Sequence, residues 1–163
     1  MREALRRDLW PMYVWGSVGT GKSFLAANAF CAYLGATAKF VRFCDFIGDA
    51  ISLEKEGEIV RWQHGRCCEI NQASFWRVIE TTGLIVVDEI GTGTANEWRN
   101  ELFWKLLEVR KGRPLILTGN IPPRDLHTQF DLRIESRLCE GQFFEVSGRD
   151  HRLSGLEQRI HKV

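Results

Sequence analysis

The chain has 163 residues, 44% of them hydrophobic and 26% charged, which is enough for one globular core and too little for two domains of ordinary size. Lysine and arginine number 22 against 21 aspartates and glutamates, so the formal net charge is +1, no overall positive field points to nucleic acid, and any basic surface must be local. No apolar run approaches the ~18 residues of a membrane span, and the charged opening MREALRRDLWP does not resemble a secretory signal; a cytoplasmic protein whose five cysteines are free thiols is expected.

Residues 1–11 are charged, end in proline and read as a stub or linker. Strand-like and helix-like stretches then alternate. A first strand is expected at Met12–Trp15 and a helix at Lys22–Leu34, closed by Gly35. A second strand is expected at Lys39–Phe43. The stretch from Leu53 to Ser74 has two charge-rich turns and no strand signal. A third strand, Leu84–Asp88, is followed by a helix that a Thr94/Glu97 capping box would open and that runs to Lys111, with Gly112 at the left-handed cap position and Pro114 blocking continuation. On that helix Trp98, Leu102, Phe103, Leu106 and Leu107 recur at helical spacing and read as a core face. Strands at Leu115–Thr118 and Phe143–Val146 complete the set. Nearly continuous hydrophobic strands suit a sheet buried on both faces, so the expected fold is an α/β three-layer sandwich around a five-stranded parallel sheet with right-handed crossovers.

The segment Gly16-Ser17-Val18-Gly19-Thr20-Gly21-Lys22-Ser23 matches G-x-x-x-x-G-K-[ST] in full, between a strand and a helix as the phosphate-binding loop requires. Its glycines let the backbone wrap an anion while amides and the helix N-terminus face it. Lys22 would reach the β and γ phosphates, Ser23 would hold Mg²⁺, and Phe24 follows directly in the nucleotide-contact set. Further on, Leu84–Glu89 is an apolar strand ending in two adjacent carboxylates. There Asp88 would join the Mg²⁺ shell and Glu89 would orient and deprotonate the attacking water. An acid pair one strand removed from the P-loop helix points to the ATPase division that carries its catalytic glutamate after the Walker aspartate, rather than to nucleotide kinases. The stretch Leu115-Ile116-Leu117-Thr118-Gly119-Asn120 ends in Asn120, which can hydrogen-bond the γ-phosphate or the lytic water; capping the turn before Pro122 and Pro123 is its competing role. Arg133 and Arg137, four apart, share a helix face. Both a shared anion and a surface ion network with Asp131 and Glu135 fit them.

Taken in order, GSVGTGKS, IVVDEIG, PLILTGN, RIESRL and Ser147-Gly-Arg-Asp-His-Arg152 resemble the ATPase domain of the DnaC and IstB group of AAA+ proteins, the replicative helicase loaders and transposition helper ATPases of bacteria and phages. The resemblance covers residues 12–152 and leaves 153–163 as a tail. It implies an ATP- and Mg²⁺-dependent protein that self-assembles and handles single-stranded DNA, with a replicative helicase or a transposase as partner. It makes Arg137 an arginine finger acting on a neighbouring subunit's ATP, Arg133 a second candidate, and Arg152 the counterpart of a second sensor. A chain of this length leaves no residues for a helical lid, and the region that grasps the helicase is not matched. A viral Rep-type helicase domain also places an asparagine at the end of its third core strand and remains an alternative.

Family members can carry an inserted helical element facing DNA between the second strand and the acidic strand. The matching region here holds Arg61, Trp62, His64, Arg66, Phe75, Trp76 and Arg77. Arginine interleaved with aromatics suits base stacking and backbone contact, yet Glu54, Glu56 and Glu58 lie alongside, and a helix with one buried and one solvated face explains the same letters. His64, Cys67 and Cys68 lack metal-site spacing, and Cys31, Cys44 and Cys139 read as core filler.

Overall fold

The computed structural model describes residues 9–35, 37–63, 66–92 and 96–150. Five parallel strands carry the core: β1 (Met12–Trp15), β2 (Ala38–Arg42), β5 (Leu84–Ile90), β6 (Leu115–Gly119) and β7 (Gln142–Glu145), in the spatial order β2-β5-β6-β1-β7. The P-loop strand β1 and the acidic strand β5 are thus separated by β6, which pairs with both.

Side-chain alternation divides the core into two layers of packing. Met12, Val14, Leu84, Val86 and Ile116 point to one face and pack with Ala26 and Ala29 of α1 (Lys22–Cys31). Tyr13, Ile85, Val87, Leu115 and Leu117 point to the other, where α2 (Phe43–Glu56), α3 (Gln72–Thr81), α4 (Glu97–Val109) and α5 (Leu132–Cys139) cover them. Because β1, β5 and β6 are apolar at both parities, their runs are legible as two-sided strands. The three-layer α/β sandwich is as expected, and among the described residues no helical domain follows β7.

Leu53–Ser74 departs from expectation. Helix α2 continues to Glu56 and ends on Gly57 at φ 82°, and an antiparallel hairpin follows, β3 (Glu58–Gln63) with β4 (Arg66–Asn71). Ile59 and Ile70 are cross-strand partners and turn inward against the core, whereas Val60 and Glu69 face out. A two-stranded sheet with one solvated face tolerates charge at every second position, which masks the strand period. Asn71 then opens α3 through a reciprocal capping box with Ser74. Helix α4 also begins differently: Asn96, not Thr94, caps it by accepting the Arg99 amide at 2.7 Å. Thr94 lies outside the described residues. Helix α1 stops at Cys31 rather than Leu34, and Phe43 opens α2 instead of closing β2. Trp98 is half exposed while the rest of its expected face is buried. All five cysteines are free thiols, but Cys31, Cys44 and Cys139 lie at the surface rather than filling the core.

Arg110, which follows α4 as its C-cap residue, is fully buried. Its guanidinium donates to the carbonyls of Ile79, Glu80, Thr82, Gly83 and Pro114 at 2.6–3.2 Å. It therefore caps the C-terminus of α3 and ties it to the entrances of β5 and β6.

Candidate nucleotide site

The loop between β1 and α1 is built from conformations that need glycine. Gly19 and Gly21 have φ of 76° and 93°, and Gly21 is the left-handed residue from which α1 starts. The chain beyond β7 passes so close that a β-carbon on Gly16 would lie 2.2 Å from the Val146 carbonyl oxygen. The Val146 amide meanwhile donates to Trp15 O at 2.7 Å, extending the β1–β7 ladder past the strand end. Lys22 is buried and its Nζ donates to Ser17 O at 2.6 Å, while Thr20 Oγ1 donates to the same carbonyl at 2.9 Å.

Opposite the loop, β5 carries buried Asp88 and exposed Glu89 just before its last residue, Ile90, and β6 ends in Thr118 and Gly119 with Asn120 directly after. Val18, Gly19, Gly21, Lys22, Ser23, Phe24, Glu89, Thr118, Gly119 and Asn120 line one cleft of about 220 Å³. The P-loop, the second carboxylate of the acid pair and the strand-end asparagine are thus brought together, although 66 or more residues separate the first from the other two in sequence. Amides at the start of α1 and the Lys22 ammonium suit a phosphate chain. A hard-oxygen donor set from the Ser23 hydroxyl and the Asp88 carboxylate suits Mg²⁺. Thr118 went unnoticed in the sequence because it looks like an ordinary β-branched strand residue; its hydroxyl donates to Asp88 Oδ1 and accepts from the Glu89 amide at 2.9 Å.

Asp150 is a second residue that sequence reasoning missed. A β-carbon on Gly19 would lie 1.7 Å from its Oδ1, so the segment after β7 lays a carboxylate directly against the phosphate loop. Arg152, two residues on, lies outside the described residues.

Arg133 and Arg137 share one face of α5, as their spacing requires, but neither lines the cleft. Both guanidinium carbons sit 5.4 Å from the Trp104 ring centroid. Arg133, half exposed, donates to Glu101 at 2.6 Å and to Asp131 at 2.8 Å, and those carboxylates raise its pKa. Arg137, whose side chain is 13% exposed, donates to Glu140 at 2.6 Å and also to Glu108. The surface ion network is therefore real, though its main carboxylates are Glu101, Glu108 and Glu140, with Asp131 but without Glu135.

Of the aromatic and basic residues between β2 and β5, Phe75 is in the core, stacked on Phe46 at 5.8 Å, which removes it as a base-stacking surface. Trp76 packs edge-on against both rings and carries Lys105 Nζ 4.3 Å above its centroid. Arg61, Trp62 and Arg66 belong to the hairpin, where Arg61 is paired with Asp49. Arg77 is exposed on α3, and His64 lies outside the described residues.

No protein-family model and no curated protein sequence matches the chain. Solved structures do match it. AMPPCP-bound DnaA from Aquifex aeolicus aligns over 97% of this chain and 48% of its own, with a TM-score of 0.74 at 20% identity. A DnaC helicase loader aligns over 90% of this chain and 85% of its own, with a TM-score of 0.72 at 18% identity. For DnaI the shares are 93% and 81%, with a TM-score of 0.62 at 19% identity. The fold is that of the AAA+ ATPases. The chain spans about half the length of the DnaA structures and most of the length of the two smaller proteins. The five-stranded parallel sheet with helices on both faces is the fold expected from the sequence. Among the described residues no helix is long and apolar enough to cross a membrane, and no group of side chains could hold a metal ion through three His, Cys, Asp or Glu ligands.

Proposed function

We propose that this chain is an ATP-hydrolysing AAA+ switch of the helicase-loader type. The observation that carries this reading is the single cleft shared by Lys22, Ser23, Glu89 and Asn120, with Asp88 directly behind it. In this reading the P-loop amides and Lys22 hold the β and γ phosphates of ATP. Mg²⁺ bound by Ser23 and Asp88 would neutralise charge on the β and γ oxygens. Glu89 accepts the proton of a water that attacks the γ-phosphorus in line, as the bond to the ADP oxygen breaks. Asn120 orients that water or the γ-phosphate through its amide.

Arg137, with Arg133 beside it, completes a neighbouring subunit's site in the same reading, so hydrolysis is coupled to self-assembly; Arg152 adds a cation near the nucleotide. Support comes from α5, whose two arginines lie away from their own cleft. The likeness to the DnaC loader and to DnaI supports action on a replicative helicase, and a DnaA structure bound to AMPPCP and single-stranded DNA, at a TM-score of 0.71, supports both ligands. The β3–β4 hairpin, with Arg61, Trp62 and Arg66, is the favoured DNA-contacting element. Phosphate release by wild-type protein, Lys22→Ala, Arg137→Ala and their equal mixture tests the reading. The mixture should regain turnover that each variant lacks; no recovery from variants that fold and assemble would refute the shared site. Trp15 fluorescence, directly before Gly16, should change on adding Mg-ATP.

A further inference from the structure

Glu89 has φ 63°, the one non-glycine residue with positive φ among the described residues. Such a conformation is unfavourable for a residue with a β-carbon and persists where surrounding contacts enforce it. Its origin is a break in strand register. β5 and β6 pair evenly through Val87↔Leu117 and resume at Ile90↔Gly119, so Asp88 and Glu89 both stand opposite Thr118. A bulge is rare between parallel strands, and it removes the ladder partner of the extra residue. Without a substitute, the Glu89 amide at this position would be an unpaired donor.

Thr118 is that substitute. Its side chain is 1% exposed, so water cannot take its place. Oγ1 accepts the Glu89 N–H at 2.9 Å and gives its own proton to Asp88 Oδ1. A hydroxyl has one proton and two lone pairs, so the polarity of both bonds is fixed: the carboxylate takes the proton and the amide takes a lone pair. One side chain thereby ties the Walker aspartate to the backbone turn that aims the glutamate at the cleft. Valine would fill the same space and make neither bond.

We propose that Thr118 is a positioning residue for hydrolysis, holding the β5 bulge so that Asp88 stays turned inward while Glu89 faces the γ-phosphate. This rests on the reading of Glu89 as the base. Three variants and one double variant test it: Thr118→Val, Thr118→Ser, Glu89→Gln, and Thr118→Val with Glu89→Gln. Turnover of Thr118→Val should fall roughly 10- to 100-fold, because a misaimed general base forfeits much of its usual contribution. Its Mg-ATP dissociation constant, read by Trp15 fluorescence, should stay within about threefold, since a loss confined to the transition state leaves ground-state binding in place. Thr118→Ser should restore turnover to within about threefold, and Thr118→Val should add no further loss on top of Glu89→Gln, as expected of residues acting through one another.

Wild-type turnover in Thr118→Val, a Thr118→Ser variant as slow as Thr118→Val, or losses that multiply in the double variant would each overturn the proposal. If Thr118→Val does not fold, Thr118→Ser against Thr118→Cys makes the same comparison, since the thiol fills a similar volume with a weak donor. Wild-type turnover in Glu89→Gln would sink the hydrolytic reading itself. An inactive Glu89→Gln beside a fully active Thr118→Val would sink the positioning role alone.

Discussion

Replacing Arg110 by methionine isolates the contribution of the buried clamp. Methionine keeps an unbranched stem of similar reach and removes every donor. Two of the five carbonyls keep a second donor, Arg113 Nη1 on Glu80 at 2.6 Å and the Ile85 amide on Pro114 at 3.1 Å. The loss therefore falls mainly on Ile79, Thr82 and Gly83, two of which sit beyond the last turn of α3. Each orphaned buried carbonyl costs about 1–3 kcal/mol. Removing the cation returns part of this, because the guanidinium is itself desolvated: burial, with Arg113 nearby, lowers its pKa to about 10. Its Nε also finds no acceptor. A net loss of about 3 kcal/mol is expected, within the range for breaking a buried charged network. For a domain of this size that lowers the Tm by about 10 °C. Arg110→Lys keeps the charge but cannot span the carbonyls and should lie between the two. Thermal and urea unfolding followed by circular dichroism measure the effect. An Arg110→Met protein melting within about 2 °C of wild type would refute the clamp, because the entropy of unfolding converts that to well under 1 kcal/mol.

Other consequences are equally direct. Asp150→Asn removes a negative charge that faces the phosphate loop, so Mg-ATP should bind about three- to tenfold tighter in a titration at low salt, and less so as salt rises. Gly19→Ala should abolish nucleotide binding and lower the Tm by a few degrees, since it combines φ 76° with a β-carbon driven into the Asp150 carboxylate. Asp131 caps α5 by accepting the amides of Arg133 at 3.0 Å and Ile134 at 3.1 Å, so Asp131→Ala should cost about 1 kcal/mol in unfolding experiments. Burial pushes the Asp131 carboxyl up, but Arg133 and the two amides outweigh it and hold it below the usual carboxylate range. Its contribution is thus complete above about pH 4, where the unfolded carboxyl is ionised, and is lost as pH falls through the lower folded value. Asp131→Asn should flatten that part of the acid unfolding profile.

What could be read from the sequence follows from how local each cause is. The P-loop is legible because anion binding by backbone dictates glycine at fixed spacing, and β1, β5 and β6 are legible because two-sided burial forbids polar residues at either parity. That Asn120 lies at the cleft is legible from its position at a strand end beside glycine. The hairpin was not, since among its described side chains Ile59 and Ile70 pack on the core while Val60, Cys67 and Glu69 face out, which breaks the apolar-in, polar-out alternation. Thr118 and Arg110 were invisible for a different reason. Their partners lie some thirty residues away in sequence, at Asp88 and Glu89 for one and at Ile79 to Gly83 for the other, and only the folded sheet brings them together. Cys31, Cys44 and Cys139 failed in the opposite sense, because apolar neighbours in sequence do not imply an inward-facing position on a helix.

The charge balance of the cleft bears on how the site would work. Lys22 supplies the positive charge among the described lining residues, and against it stand Glu89 in the cleft, Asp88 directly behind and Asp150 laid on Gly19. A triphosphate entering this cleft meets one cation and three carboxylates. Backbone amides and the α1 dipole offset part of that repulsion, though a helix N-terminus acts as only about half a unit charge. Among the described residues the cleft is therefore short of positive charge. In the proposed function Mg²⁺ and Arg152 would meet part of the need and an arginine from a second copy the rest. Arg133 and Arg137 lie outside the cleft, each beside Trp104 and paired with carboxylates, so their proposed role at a neighbouring site requires that Glu101, Asp131, Glu108 and Glu140 give them up on assembly.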